Sequence, residues 1–230
     1  MKKKIAVLTG AGMSAESGIS TFRDSNGLWE NHNIMEVASP DGWNKNPALV
    51  LDFYNKRRAQ LKEVSPNRGH EILAELENDF DLHIITQNVD NLHERAGSTK
   101  IIHLHGELTK VRSETNPRHT IDWTEDLHLG NTDSQGNQLR PHIVWFGEAV
   151  PAIDLAIPIM QEADILIIIG TSLQVYPAAG LMHYAKTNVP VYYIDPKPAV
   201  IRDLANPLEV IAMNASDGLT KLKEALVSER

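Results

Sequence analysis

Gly10-Ala11-Gly12-Met13-Ser14 directly follows the apolar run Ile5-Ala6-Val7-Leu8, and a glycine-rich turn in that place can bring backbone N–H groups against an anion. The same residues also suit an ordinary tight connection, so on their own they leave both readings open. Thr86-Gln87-Asn88-Val89-Asp90 offers side-chain amides and a carboxylate able to accept hydrogen bonds from N–H donors. Asn88 or Asp90 serves equally well as a helix cap. His105 carries an imidazole, which titrates near neutrality and so can serve as a general base. His103, two residues earlier, shares its face on a strand; such a pair can ligate a metal, but no third His or carboxylate stands at a spacing that completes a zinc set. Tyr54 and Arg57 fall on one helical face, where a guanidinium can grip a carboxylate bidentately and a phenol adds a donor. The neighbouring Lys56, Arg58 and Lys62 make a solvated charged face the stronger reading of those residues alone. Asp195, after the run ending at Ile194, stands where a dinucleotide site places a carboxylate on the adenosine ribose and would repel a 2′-phosphate; Asp195-Pro196 is also a common turn opening.

Positioning these groups falls to short aliphatic runs at Ile5–Leu8, Leu82–Ile85, Ile101–Leu104, Ile165–Ile169, Val189–Ile194 and Leu208–Ala212. Uninterrupted apolar strands of this kind belong to a parallel sheet covered on both faces. Helical patterns lie between them at Ala48–Leu61, Glu71–Leu76, Val89–Arg95, Ala179–Lys186 and Ser216–Val227, an alternation that predicts a doubly wound α/β fold. Gly10–Ser14, Thr86–Asp90, His105-Gly106, Gly170–Ser172 and Asp195 all come just after a strand, so they should gather at the carboxyl edge of the sheet. From Thr109 to Leu139 the rhythm breaks: the residues are polar, with Asn116-Pro117, Gly130-Asn131 and Gly136-Asn137 as turn signals. That stretch reads as a small inserted lobe, ordered by an Ile121, Trp123 and Leu127 cluster and by Asp, Ser and Thr hydrogen bonds. Arg140–Glu148 reads as an extended stretch presenting Trp145 and Phe146 outward.

With 230 residues the chain can bury one substantial core with a small insert. Its net charge of −8 argues against a nucleic-acid or membrane-surface role. Met1-Lys2-Lys3-Lys4 is followed by a strand and a glycine loop rather than the apolar region of a signal peptide, so a cytoplasmic location is expected. The absence of cysteine removes disulfides, thiolate metal sites and a thiol nucleophile.

Taken in order, the Gly10 loop, Ser20-Thr21-Phe22-Arg23-Asp24, Thr86–His93, His103-Leu104-His105-Gly106, Arg140–Glu148 and Gly170–Ala179 resemble the sirtuins, NAD-dependent protein-lysine deacylases, from about residue 4 to about residue 227. Two departures stand out. Sirtuins usually carry Pro where Ser20 sits, and four zinc-binding cysteines where this chain has none. The resemblance implies a zinc-free lobe at 109–139 inserted into a Rossmann-like domain of 1–108 and 140–230, with a loop at 22–43 that closes over nicotinamide and a helical segment at 46–61. It implies NAD contacts from Gly10, Ala11, Gly12, Ser14, Phe22, Arg23, Gln87, Asn88, Asp90, Gly170, Thr171, Ser172, Asp195 (commonly Asn in sirtuins) and Ala215. His105 would deprotonate a ribose hydroxyl after the acyl oxygen displaces nicotinamide, with Asn88 and Asp90 beside it. An acylated-lysine peptide would lie between two strands that carry Val144, Phe146, Gly147 and Val175, and Tyr54 with Arg57 matches the class III pair that recognises acidic acyl groups. The expected product is O-acyl-ADP-ribose and the expected state a monomer. NAD glycohydrolysis, mono-ADP-ribosyl transfer, or a non-catalytic NAD-binding module are the alternatives.

Overall fold

The computed structural model describes residues 2–20, 28–29 and 32–228; Phe22 and Arg23 therefore lie outside the described residues. In chain order its strands are β1 (Lys4–Thr9), β2 (Leu28–Trp29), β3 (His32–Asn33), β4 (Asp81–Thr86), β5 (Ile101–His103), β6 (Gly106–Ser113), β7 (Thr120–Asp122), β8 (Leu139–Ile143), β9 (Ile165–Ile169), β10 (Val191–Ile194) and β11 (Leu208–Ile211). Its α-helices are α1 (Ile34–Val37), α2 (Pro40–Lys45), α3 (Pro47–Glu63), α4 (Arg68–Leu76), α5 (Leu92–Arg95), α6 (Ile153–Glu162) and α7 (Ala215–Ser228).

The six aliphatic runs all enter one parallel sheet in the order β11-β10-β9-β1-β4-β5. Alternate residues of β1 serve opposite cores. Ile5 and Val7 pack with Ile72, Leu76 and Leu219 of α4 and α7, whereas Ala6 and Leu8 pack with Met160 of α6 and Leu181. Both faces are thus dry, which is why these strands are apolar without alternation. The chain leaves β1 towards β4 on one side and reaches β9 on the other, so the carboxyl ends of β1 and β9 form the point where the winding reverses and ligands bind.

Two elements are disguised in the sequence by proline: α6 holds Pro158 in its interior and β8 holds Pro141 at its centre. A third core joins α3 to the three-stranded antiparallel sheet β7-β6-β8 through Phe53, Tyr54, Leu108, Val111, Leu127 and Trp145. Ile121 and Trp123 pack against this shared core instead of forming a cluster of their own with Leu127. Arg58 corrects the solvated reading of its helix face: it is buried, and its guanidinium donates to the carbonyls of Leu108 (2.9 Å) and Glu125 (3.3 Å). Asn55 exchanges two hydrogen bonds with the Leu127 backbone, at 3.0 and 2.9 Å. Within the 131–137 turn, the Asp133 carboxylate accepts from Gln135 N at 2.8 Å and Asn137 N at 2.9 Å.

Candidate active site

The glycine loop after β1 makes two successive 3-10 turns, Ala11–Met13 and Ala15–Ser17, rather than opening an α-helix. Gly10 N donates to Ile169 O at 3.0 Å and Gly12 N to Gly170 O at 2.8 Å, so two of its N–H groups hold the neighbouring loop and are not offered to an anion. A Cβ on Gly12 would lie 2.6 Å from Gly170 Cα, and Gly170 itself takes φ +60°. Glycine is required here because two backbones touch at the reversal point.

A buried chain of side chains runs beneath this edge. Thr9 Oγ1 donates to Thr86 Oγ1 at 2.8 Å, Asn88 N donates to Thr86 Oγ1 at 3.0 Å, Asn88 Nδ2 donates to Ser14 Oγ at 3.0 Å, and Ser14 Oγ donates to Asp90 Oδ2 at 2.9 Å. Gln87 Nε2 reaches Thr171 Oγ1 at 3.0 Å, tying β4 to the loop after β9. Burial pushes the Asp90 pKa up, against the lowering hydrogen bonds from Leu92 N and Ser14. That same Leu92 bond, at 3.1 Å to Asp90 Oδ1, delays α5 to Leu92, three residues after the start that the sequence suggests.

His105 and His103 hang on consecutive carbonyls of this segment. His105 Nδ1 lies 3.0 Å from Gln87 O and His103 Nδ1 lies 3.1 Å from Asn88 O. A carbonyl only accepts, so both Nδ1 atoms carry protons. Burial lowers the His105 pKa, more than the Gln87 contact raises it. The ring is therefore neutral at pH 7 with its lone pair on Nε2, the state a general base needs. Metal binding by the pair is not what this geometry serves, because His103 has its other nitrogen on Glu94 Oε1 at 2.7 Å. Among the described residues no group of three or more His, Asp or Glu could hold a metal ion. Gly106 follows at φ +83°, where a Cβ would fall 2.0 Å from His142 O; the glycine lets β6 start against β8.

Asp195 is buried at the end of β10, and its Oδ1 accepts from Lys197 N at 2.8 Å, the turn role that its sequence also allows. Ala215 is buried at the first turn of α7. Val144, Phe146, Gly147 and Val175 lie outside any strand: residues 144–148 form a turn and 173–177 an irregular segment. Gly147, at φ +93°, and the bond from Trp145 N to Glu148 Oε2 at 2.8 Å curl the first of these away from extended geometry. Trp145 is only 2% exposed, not outward-facing; its indole N–H donates to Tyr54 Oη at 3.0 Å, and the Arg140 guanidinium lies 3.2 Å over its ring. Phe146 is exposed. The Glu148 carboxylate also accepts from Arg140 (2.7 Å) and Arg112 (3.2 Å), joining both long strands of the lobe to this turn. Glu94 and Thr9 went unmarked in the sequence, and Thr86 and Glu148 stood in quoted motifs without a role, because their partners lie across the fold rather than at a readable spacing. Tyr54 is fully buried, while Arg57 is half-buried with its guanidinium 4.9 Å over Phe53.

The Sir2 family profile matches residues 10–177. A protein of Bacteroides thetaiotaomicron named NAD-dependent protein deacylase is 56% identical over 231 residues, covering 98% of each chain. One of Helicobacter pylori with the same name is 62% identical over 195 residues, 85% of each. Among solved structures, a Sir2 homologue in complex with NAD superimposes with a TM-score of 0.88 at 35% identity, over 99% of this chain and 91% of the other.

Proposed function

The chain belongs to the Sir2 family, the sirtuins, and from that premise we propose that it is an NAD-dependent protein-lysine deacylase that removes acetyl groups and, through Arg57, succinyl and malonyl groups. The observation that carries the catalytic reading is His105, neutral and tautomerically fixed by Gln87 so that its Nε2 is free to take a proton. Simple cofactor binding has no use for a base held in that state. Bound NAD supplies the anomeric carbon at which nicotinamide is displaced by the acyl oxygen. In this reading the Asp90 carboxylate, fixed by Ser14 and Leu92 N, takes the carboxamide, and Asn88, fixed on both its backbone and its side chain, takes the ribose. Acylated proteins are the partners of this reading, and the expectation of a cytoplasmic monomer goes with it.

Mass spectrometry after mixing the protein with NAD and acetyl-, succinyl- and malonyl-lysine peptides tests the proposal. Deacylated peptide together with free nicotinamide and O-acyl-ADP-ribose is expected. Nicotinamide and ADP-ribose with untouched peptide would instead indicate a glycohydrolase.

A further inference from the structure

His103 differs from His105 in one respect that decides its charge. Its Nδ1 meets Asn88 O at 3.1 Å, and its Nε2 meets Glu94 Oε1 at 2.7 Å. Neither a carbonyl nor a carboxylate can donate, so filling both contacts requires a proton on each nitrogen. With both contacts filled the ring is an imidazolium, held between α5 and the segment that follows β4, with its side chain only 8% exposed. Asn88 is the residue whose amide N is held by Thr86 and whose side chain leads through Ser14 to Asp90. His103 supplies the remaining tether, on the carbonyl.

We propose that His103 is a positioning residue for the cofactor: clamped between Glu94 and the Asn88 carbonyl, it fixes residues 87–90 for NAD, and the clamp works only while both its ring nitrogens are protonated. This inference rests on NAD being the ligand of the edge described above. Loss of one proton leaves one donor for two acceptors. The Glu94 carboxylate is the stronger claimant, so a lone pair is then set against Asn88 O and the segment is released. The groups facing His103 agree with the charged state. Glu94 of α5 and Glu107 of β6 attract it, Lys110 of β6 is occupied by Glu107 at 2.8 Å, and His93 is neutral. Burial works to lower the His103 pKa, but the Glu94 hydrogen bond and charge carry it above the usual imidazole value. In turn the His103 charge opposes the rise that burial imposes on Asp90.

The experiment is calorimetric titration of NAD between about pH 6.5 and pH 9, alongside steady-state KM and kcat with a saturating acyl peptide. In the parent, NAD affinity should weaken by about three- to tenfold on the alkaline side, the worth of one ordinary hydrogen bond. Glu94→Gln removes the charge that holds the second proton while keeping the side-chain shape, so it should move this weakening to lower pH and raise KM for NAD with kcat nearly kept. His103→Asn retains an amide donor near the Nδ1 position and cannot titrate; it should bind NAD at near-parent strength with no alkaline limb. His103→Leu should bind weakly at every pH. A purely structural role would lower the melting temperature of these variants without moving the pH dependence of the NAD Kd. Equal NAD affinity in the parent and Glu94→Gln across the range overturns the inference, even should His103→Leu fail to fold. A parent that binds no NAD at any pH overturns the cofactor reading instead.

Discussion

Two histidines two residues apart hold different charges because of what lies at the far side of each ring: open Nε2 on His105, the Glu94 carboxylate on His103. The His-x-His spacing is readable in the sequence, but the strand expected to carry both rings ends at His103 and leaves His105 in the turn before β6; the charge difference is not readable, because Glu94 and Gln87 arrive from other elements. If His105 is the base, His105→Ala should reduce deacylation by about a hundred- to ten-thousandfold. Calorimetric NAD binding should survive, and full deacylase activity in that variant would remove the assignment. The acyl preference is a second residue-scale matter. Tyr54 sits in the core with its Oη accepting from Trp145, so the proposed acidic-acyl preference rests on Arg57. A charge-assisted contact in a partly dehydrated site is worth about 1.5–3 kcal/mol, or roughly ten- to more than a hundredfold in kcat/KM. Arg57→Met should cost desuccinylation that factor and spare deacetylation. Equal losses in both would withdraw the acidic preference while leaving the deacylase standing.

At the scale of elements, strands were legible where burial on both faces made them continuously aliphatic, as in Ile165–Ile169, and illegible where the lobe's strands mix Lys110, Arg112, Arg140 and His142 with apolar residues. Lys110, Arg112 and Arg140 have partners inside the fold, Glu107 and Glu148, and no periodicity announces this. The lobe that in sirtuins is clamped by zinc through four cysteines is here held on α3 by Arg58 and Asn55 and by burial of Leu127. A structural zinc supplies on the order of 10 kcal/mol in small domains, several times what one such guanidinium contributes. The lobe thus depends on these contacts jointly with the apolar seam. We therefore expect Arg58→Met, which strands Leu108 O, to cost about 1.5–3 kcal/mol, a fall of roughly 4–10 °C in melting temperature for a chain of this size. Chelators should leave the parent's melting temperature unmoved, and elemental analysis should find far less than one zinc per chain. Stoichiometric zinc, or a melting temperature that drops with chelator, would contradict this account.

For the whole molecule, the packing of α4 and α5 against the sheet buries a second histidine pair that sets how the fold responds to acid. His70 and His93 meet with ring centroids 4.8 Å apart, and both are almost fully buried. His70 Nδ1 accepts from Asn67 N at 3.2 Å, and His93 Nε2 lies 3.3 Å from Thr9 Oγ1, whose own proton goes to Thr86. Neither ring can take up a second proton cheaply, because the new charges would face each other away from water. Burial accordingly lowers the His70 pKa to about 4 and drives that of His93 well below its ordinary value. In the unfolded chain both titrate near 6.5, so below that pH the unfolded state binds protons that the folded state refuses, and stability falls as pH falls. The slope is about 1.4 kcal/mol per pH unit for each ring, roughly 3 kcal/mol for the pair after one unit of acidification. His103 has the opposite sign. Its raised folded pKa contributes stability that is present below about 6.5 and lost as pH rises through the folded value, so its pH dependence falls on the alkaline side of the acid loss. Denaturant unfolding followed at about pH 7.5, 6.5 and 5.5 should show stability dropping over the lower interval. In His70→Gln, which removes one of the two refused protons, that drop should be smaller by about one ring's share. A stability that stays flat down to pH 5.5, in parent and variant alike, would mean that these two rings are not held neutral beneath the cofactor edge.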